Sequence, residues 1–253
     1  AETAFDVGAA AICVHGRSVE AAYRGPADWA FLAEALSLGV VDLQARVSHA
    51  ADIVTIDGAQ LTCRTVPAEG ASWGEAYAAA CPAPFAALGS TLGTEGLEAT
   101  VARWRLDTPP PFDIPTAAAD WTAPAADAPA ALADEAVGQG ALVVSPLQMA
   151  LVAGTLANGG TMPAPRLVDA IQQAGGWQQV TVASSYRVVS AAQARVLLQE
   201  MAPIAAGVVG HGGSAIAGRD QPPHAWFLGT AGPYAVAVLV ERSSDSDRAI
   251  QIG

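Results

Sequence analysis

Two apolar segments near the end of the chain place the strongest limit on its fold. Residues 224–231 and 234–241 are both rich in residues that favour strands, and each has the length of a typical strand. Gly232 and Pro233 lie between them and form a typical turn pair. Two strands joined by so short a connection must pair antiparallel. The chain is therefore predicted to build an antiparallel sheet that its other segments cover.

Capping boxes predict the first residues of two helices. Ser145 and Gln148 stand three residues apart before an apolar run, and Ser190 and Gln193 repeat this arrangement. In such a box the serine accepts a hydrogen bond from the third helical amide, and the glutamine accepts one from the cap amide. The first helix should end at a glycine pair, and the second should run to about Ala205.

The remaining segments fit one domain over residues 1–253 in which the chain leaves the sheet and rejoins it. Residues 106–135 are rich in proline and alanine and are predicted to form a long surface loop. Two further hairpins are predicted, one over 8–23 and one around Asp57-Gly58. Helices are predicted over 28–38, ending at Gly39, and over 74–81, ending before Pro82. A further helix is predicted to be capped by Thr94, with Leu97, Val101 and Trp104 on one face, and a strand is predicted over 179–184.

Composition excludes several functions. The formal net charge is −12, whereas nucleic acid and anionic lipid both require a basic surface. No apolar run reaches the length needed to cross a bilayer. The four histidines show no spacing typical of metal ligands, and nothing in the sequence indicates a cofactor. Hydrophobic residues make up 52% of the chain, which is enough for a sizeable core.

The three cysteines do not form a disulfide framework. Cys63 and Cys81 could pair across a short loop, and Cys13 would then remain unpaired. An odd and sparse set of cysteines favours buried free thiols over a framework of bridges. We therefore expect free thiols, with a Cys63–Cys81 bridge as the alternative.

Several segments together resemble one known family. Gly138-Gln-Gly140, Ser145-Pro-Leu-Gln-Met-Ala150 and Leu156-Ala-Asn-Gly-Gly160 follow one another at fixed spacing. This run is similar to the "GQG…SPLQMA…ANGG" run of penicillin-binding protein transpeptidase domains. Weaker similarity extends to the terminal strand pair, to an "EAL…SCN..F…LG" segment around Cys81 and to Ala35–Gly39. The resemblance covers residues 8 to 242.

The resemblance implies a fold and a chemistry. The fold is α/β (α+β) of the β-lactamase/transpeptidase type, with an antiparallel sheet of about five strands and helices on both faces. The chemistry is acyl transfer through a serine ester. It uses a Ser-x-x-Lys pair, a Ser-x-Asn loop and a Lys-Thr-Gly strand. The resemblance also implies an extracytoplasmic location and a membrane anchor in a longer parent chain.

None of these three motifs is present in this sequence. The chain contains no lysine, and its twelve basic residues are all arginines. Alignment to the first motif places Ala27 and Ala30, or Gly25 and Asp28, at the Ser-x-x-Lys pair. The second motif becomes Ala80-Cys81-Pro82, and the third becomes Ser214-Ala215-Ile216. Arginine cannot replace the lysine base, because its pKa lies above about 12.

The leading prediction is therefore a catalytically inactive transpeptidase-like domain with no catalytic residues of its own. Its role would be structural, or it would bind other cell-wall or division proteins in bacterial cell-wall and envelope assembly.

Two alternatives stay open. In the first, the chain is an acyl-transfer enzyme that uses Ser214, near His211 and His224, or Cys81 as its nucleophile. In the second, it binds peptidoglycan peptides without catalysis, and Arg24 and Arg219 receive a carboxylate.

Overall fold

The fold is known from a computed structural model that describes residues 28–112, 114–118, 120–181, 184–217, 221–243, 245 and 247–253. The predicted hairpin over 8–23 and Cys13 lie outside these residues. The described helices are α1 (Asp28–Ser37), α2 (Trp73–Ala78), α3 (Pro82–Trp104), α4 (Pro129–Ala136), α5 (Pro146–Ala157), α6 (Ala191–Glu200) and α7 (Asp247–Ile252). The described strands are β1 (Val54–Ile56), β2 (Ala59–Leu61), β3 (Thr161–Met162), β4 (Ala170–Gln173), β5 (Gly176–Gln179), β6 (Tyr186–Arg187), β7 (Ala202–Ala205), β8 (Val208–Ala215), β9 (His224–Ala231) and β10 (Tyr234–Val240).

The main sheet is antiparallel, as predicted. Its described strands follow the order β10-β9-β8-β7, so the described residues supply four of the about five strands expected. The terminal pair β9 and β10 forms the predicted hairpin, with Val236 opposite Gly229. Three two-stranded sheets lie outside it: β1 with β2, β3 with β6, and β4 with β5. The β1–β2 hairpin around Asp57-Gly58 was also predicted.

Helices cover both faces of the main sheet. On one face, Trp226 and Leu228 are fully buried in the large core that α1, α3 and α5 complete. On the other face, Phe227 packs in a smaller cluster with Ala249 of α7. Successive residues of β9 therefore face opposite layers, as the two-residue period of a strand requires. This arrangement confirms the predicted layers.

Local signals placed most helix starts correctly. Both capping boxes are present, at Ser145 with Gln148 and at Ser190 with Gln193. Helix α6 ends at Glu200, however, and the prediction that it reaches Ala205 is wrong. Pro203 disfavours a helical conformation in the residue before it, and the segment instead forms β7.

Helix α3 is bent at Gly93. This residue has φ 64° and ψ −174°, a conformation that only glycine adopts readily. The helix predicted from Thr94 is thus the second half of α3, and its Leu97, Val101 and Trp104 are all buried. Thr94 is not its cap residue, because the non-helical residue before this half is Gly93, and the Thr94 hydroxyl donates to the carbonyl of Pro124 in the following loop.

Three further predictions need correction, and two of them concern proline. Pro82 was predicted to end a helix over 74–81. Helix α2 instead stops at Ala78, and Pro82 is the first residue of α3. Pro129 likewise begins α4 inside the predicted surface loop of 106–135. Proline suits a first helical turn, where its missing N–H is not needed. The described part of the strand predicted over 179–184 also differs, since among residues 179–181 and 184 only Gln179 belongs to a strand, at the end of β5.

The contact between α1 and α3 includes a buried acid. Glu34 has a side chain only 2% exposed, and its Oε2 lies 3.1 Å from Nε of Arg103. Burial raises the pKa of Glu34, and the attraction of Arg103 offsets part of that rise. The folded state therefore binds a proton at a higher pH than the unfolded chain does. By linkage, this group adds stability as the pH falls through its raised pKa.

We expect this effect to appear in a comparison with Glu34→Gln, which does not titrate. The stability of the native protein relative to Glu34→Gln should increase as the pH falls from neutrality, measured by urea unfolding at several pH values. Arg103→Gln should move the same increase to higher pH, because the attraction that opposes burial is lost. A difference that does not change with pH would contradict this assignment.

Candidate functional site

An open cavity of about 370 Å³ lies where the resemblance places the transpeptidase active site. One wall is formed by residues that follow β2 and by the junction of α2 and α3. The other wall is β8. The lining residues on which the argument depends are Arg64, Ala80, Cys81, Pro82, Gln139, Ser214 and Asp247. The positions aligned to the second and third motifs therefore line the same cavity.

The wall at the second motif offers no hydroxyl or amide side chain. Ala80 carries a methyl group and has φ 52°, a left-handed conformation that is uncommon for residues other than glycine. Pro82 begins α3 and has neither a side-chain donor nor a backbone N–H. These two residues can shape the cavity, but they cannot relay a proton.

Cys81 is joined to Cys63 by a disulfide bond, with the two Cα atoms 3.9 Å apart. The expectation of free thiols at these two positions is therefore wrong. The nucleophile of a cysteine enzyme is a thiolate, and a sulfur held in a disulfide has none. Cys81 is consequently not a nucleophile in this state, and it serves as a covalent tie within the cavity wall.

The third motif position lies on β8. Ser214 is half-buried and lines the cavity, whereas Ala215 and Ile216 are buried. The register separates Ser214 from the two histidines considered as its base. His211 is three residues away on the same strand, and His224 is opposite Ala215. Because side chains alternate across a strand, the register places both histidines on the face opposite Ser214, although His211 also lines the cavity.

Each of these histidines has other contacts. The His211 ring stacks on the ring of Tyr77 with the centroids 5.5 Å apart. The Nδ1 atom of His224 accepts a hydrogen bond from the backbone N–H of Arg242 at 3.1 Å. Burial lowers the pKa of His224; Glu241 raises it and Arg242 lowers it further. The register and these contacts thus disfavour a Ser214–histidine pair.

Gln139, which sequence reasoning did not select as a site residue, completes the β8 wall. Its side chain is buried, its Nε2 donates to the carbonyl of Ser214 at 3.3 Å, and its Oε1 accepts from the N–H of Ile216 at 2.7 Å. β7 pairs with β8 only as far as Gly210. The amide of Gln139 therefore occupies the place that a neighbouring strand would take. The only sequence signal was its position in the Gly-Gln-Gly segment.

The turn that carries Gln139 is fixed by a buried carboxylate. Glu135 is 1% exposed and accepts hydrogen bonds from the N–H groups of Ala141 and Leu142, both at 2.8 Å, and from Nε1 of Trp121 at 3.0 Å. A Cβ atom at Gly140 would lie 2.0 Å from the Glu135 carboxylate. The glycine after Gln139 is thus required by this close approach.

An ion pair lies at the rim of the cavity. Nη1 of Arg64 is 3.4 Å from Oδ1 of Asp247, the first residue of α7. The two residues are far apart in sequence, so no local pattern could have predicted this contact. Arg64 is the arginine that lines the cavity within the described residues.

The first motif is only partly described. Ala30 lies in α1 and is 1% exposed in the large core, so it contributes packing. Asp28 is the first residue of α1. Ala27, Gly25, Arg24 and Arg219 lie outside the described residues.

Among the residues that are described, no group of three or more His, Cys, Asp or Glu side chains could hold a metal ion, and no helix is long and apolar enough to cross a membrane.

The cavity, its degenerate motif positions and the sheet together define a transpeptidase-type domain, and comparison with known proteins shows the family. The profile of the penicillin binding protein transpeptidase domain matches residues 64–244. The chain belongs to this family.

Two curated relatives are peptidoglycan D,D-transpeptidases named PbpA. The protein from Mycolicibacterium smegmatis is 36% identical over 196 residues, and the protein from Mycobacterium tuberculosis is 31% identical over 191 residues. Each match covers 68% of this chain and 39% of the relative. The chain thus spans about two fifths of the length of these relatives.

Solved structures agree with this assignment. The crystal structure of PBPA from M. tuberculosis is 28% identical and superposes with a TM-score of 0.74, covering 92% of this chain and 60% of that one. The penicillin G acyl-enzyme complex of the same protein is also 28% identical and has a TM-score of 0.71, covering 88% and 56%. A D,D-transpeptidase domain from Eggerthella lenta, at 21% identity and a TM-score of 0.72, covers 96% of this chain and 66% of that one and supports the fold alone.

Proposed function

We propose that this chain is a catalytically inactive penicillin-binding transpeptidase domain that acts as a binding or structural module in bacterial cell-wall assembly. One observation carries the proposal: a family whose chemistry uses two lysines has here a member with no lysine. The cavity agrees with it. Its described motif positions carry Ala80, Pro82 and the Ser214-Ala215-Ile216 segment, and the cysteine between the first two is oxidised.

The physical consequence is a loss of rate that the remaining groups do not restore. A serine acyl-transfer enzyme loses several orders of magnitude of rate when its nucleophile or base is removed, because these groups act as a unit. Arginine retains its proton at every physiological pH, so none of the twelve arginines can accept the proton of a serine hydroxyl. Hydrogen-bond donors in the cavity could still bind a ligand, but binding alone does not form an ester.

The family and the disulfide support the location and the partners that we propose. Disulfides persist in oxidising compartments and are rare in the cytosol, so the Cys63–Cys81 bond supports an extracytoplasmic location. Other proteins of cell-wall assembly or division are the partners we propose. A membrane anchor would belong to a longer parent chain.

Incubation with a fluorescent penicillin tests the proposal. We expect no covalent label on the native chain after denaturing electrophoresis, because the chain has no lysine to serve as the base that this family uses. The PbpA protein from M. smegmatis serves as the positive control under the same conditions. Stoichiometric labelling of the native chain would refute inactivity, and loss of that label in Ser214→Ala would then assign the nucleophile.

A second candidate function, non-catalytic binding of peptidoglycan peptides, is favoured by the open cavity and by Arg64 at its rim. Titration calorimetry with muropeptides would detect such binding. Arg64→Gln should weaken it, whereas Arg248→Gln, which replaces an exposed arginine of α7 that is not among the cavity residues, should not. The absence of any heat change would leave only the protein-binding or structural role.

A further inference from the structure

Two opposite charges meet at the rim of the cavity. Arg64 and Asp247 both line it, and Nη1 of Arg64 lies 3.4 Å from Oδ1 of Asp247. Among the described residues that line this cavity, Asp247 carries the one carboxylate and Arg64 the one guanidinium. The charge of the arginine is therefore already balanced within the chain before any ligand enters.

The main chain holds Arg64 at the rim. Its backbone N–H donates to the carbonyl of Ala79 at 2.9 Å, and the preceding residue, Cys63, is joined to Cys81 by the disulfide. The Arg64 side chain is 27% exposed, so a solute in the cavity can reach the guanidinium. The position of this group thus depends on the cavity wall and not on its ion-pair partner.

Helix α7 holds Asp247 beside Arg64. Ala249 of this helix is fully buried against the sheet. Ile250 packs on β8 at Gly212, where an added Cβ atom would lie 2.6 Å from Cδ1 of the isoleucine. Packing of α7 on the sheet therefore keeps the Asp247 carboxylate at the rim, even when its contact with the guanidinium is broken.

The contact between the two side chains is replaceable. Its distance of 3.4 Å exceeds the roughly 2.7–2.9 Å of a strong charge-assisted hydrogen bond. It uses one nitrogen of the guanidinium, whereas an arginine can hold a carboxylate through two parallel N–H donors. The Asp247 side chain is also 55% exposed. A ligand carboxylate that binds through both donors can therefore take the place of Asp247.

We propose that Asp247 competes with ligand carboxylates for Arg64 and thereby sets the preference of the cavity between peptides that end in a free carboxylate and peptides that end in an amide. The inference rests on the second candidate function, the binding of peptidoglycan peptides in this cavity. Because Asp247 belongs to the same chain, its effective concentration at Arg64 does not change with dilution. A free carboxylate must displace it and is repelled by its negative charge. An amide end is subject to neither effect.

Titration calorimetry with one muropeptide in two forms, with its terminal carboxylate free and with that carboxylate amidated, tests the inference. Asp247→Asn should bind the acid about threefold to fivefold more tightly than the native chain does, as expected when a partly exposed competing ion pair is lost, and should bind the amide with unchanged affinity. Asp127→Asn is the matched control, because it changes the net charge equally at an exposed residue that is not among the cavity residues. It should alter neither affinity. Adding Arg64→Gln to Asp247→Asn should abolish the gain for the acid.

Two different results would contradict the inference. Equal affinity of the native chain and Asp247→Asn for the acid would overturn the competition and leave peptide binding intact. No binding of either peptide by the native chain or by Asp247→Asn would overturn the competition together with the candidate function. Circular dichroism and the melting temperature show whether each variant is folded. If Asp247→Asn is destabilised, Asp247→Ser supplies the second test, since serine also removes the charge and suits the start of a helix.

Discussion

Replacing Glu135 by alanine should lower the free energy of unfolding by about 3–5 kcal/mol. The substitution leaves the N–H groups of Ala141 and Leu142 and the indole N–H of Trp121 without their acceptor. Each buried donor without a partner costs about 1–3 kcal/mol. Water entering the vacated space would recover part of this loss, so the expected total lies below the sum of the penalties for the three donors. Urea unfolding of the purified variants measures it.

Two controls make the Glu135 result specific. Glu98→Ala removes an exposed glutamate of α3 and should change stability by no more than about 0.5 kcal/mol. Glu135→Gln keeps one acceptor oxygen but turns the other into a donor, so its loss should lie between those of the alanine variant and the native chain. If Glu135→Ala were as stable as Glu98→Ala, the carboxylate would not be what holds the turn that carries Gln139.

Removing the disulfide should have the second large effect. The bond joins residues 18 positions apart, and a loop of this size is expected to contribute about 3 kcal/mol by restricting the unfolded chain. The cluster around it consists mainly of small side chains, including Val47, Ala50, Ala76 and Ala79. Little apolar area is therefore buried there to compensate.

Cys63→Ser with Cys81→Ser is the variant to measure, by urea unfolding and by hydrogen exchange. Backbone amide hydrogen exchange should become faster first in residues 45–81, because the disulfide and the small cluster around it hold that segment against the rest of the domain. Reductant should lower the stability of the native chain and leave the double variant unchanged. Equal stability of the native chain and the double variant would show that the bond adds nothing to the folded state.

Sequence reasoning succeeded where local chemistry decides the structure. The capping boxes at Ser145 and Ser190 and the turn at Gly232-Pro233 are local signals, and the structure contains each of them. Three of the wrong helix boundaries arose because a proline can either begin a helix or prevent one. Pro82 and Pro129 begin helices, whereas Pro203 excludes one, and composition alone does not distinguish these roles.

The site was less accessible to prediction, because its contacts span large sequence separations. The positions of the second and third motifs could be aligned, and the cavity does bring Ala80 and Ser214 to one place. The bond from Gln139 to Ser214 and the ion pair from Arg64 to Asp247 join residues 75 and 183 positions apart. Nothing in a single sequence ties such distant residues together. The disulfide was weighed, but an odd cysteine count favoured the wrong alternative.

Helix α7 has a consequence for how the domain is delimited. The family profile stops at residue 244, yet Ala249 and Ile250 beyond it pack against Phe227 and Gly212 of the sheet. At the other end, α1 precedes the profile and supplies Phe31 and Leu32 to the large core. A fragment trimmed to the profile would expose apolar surface on both sheet layers. The cooperative unit is therefore wider than the segment by which sequence searches recognise it.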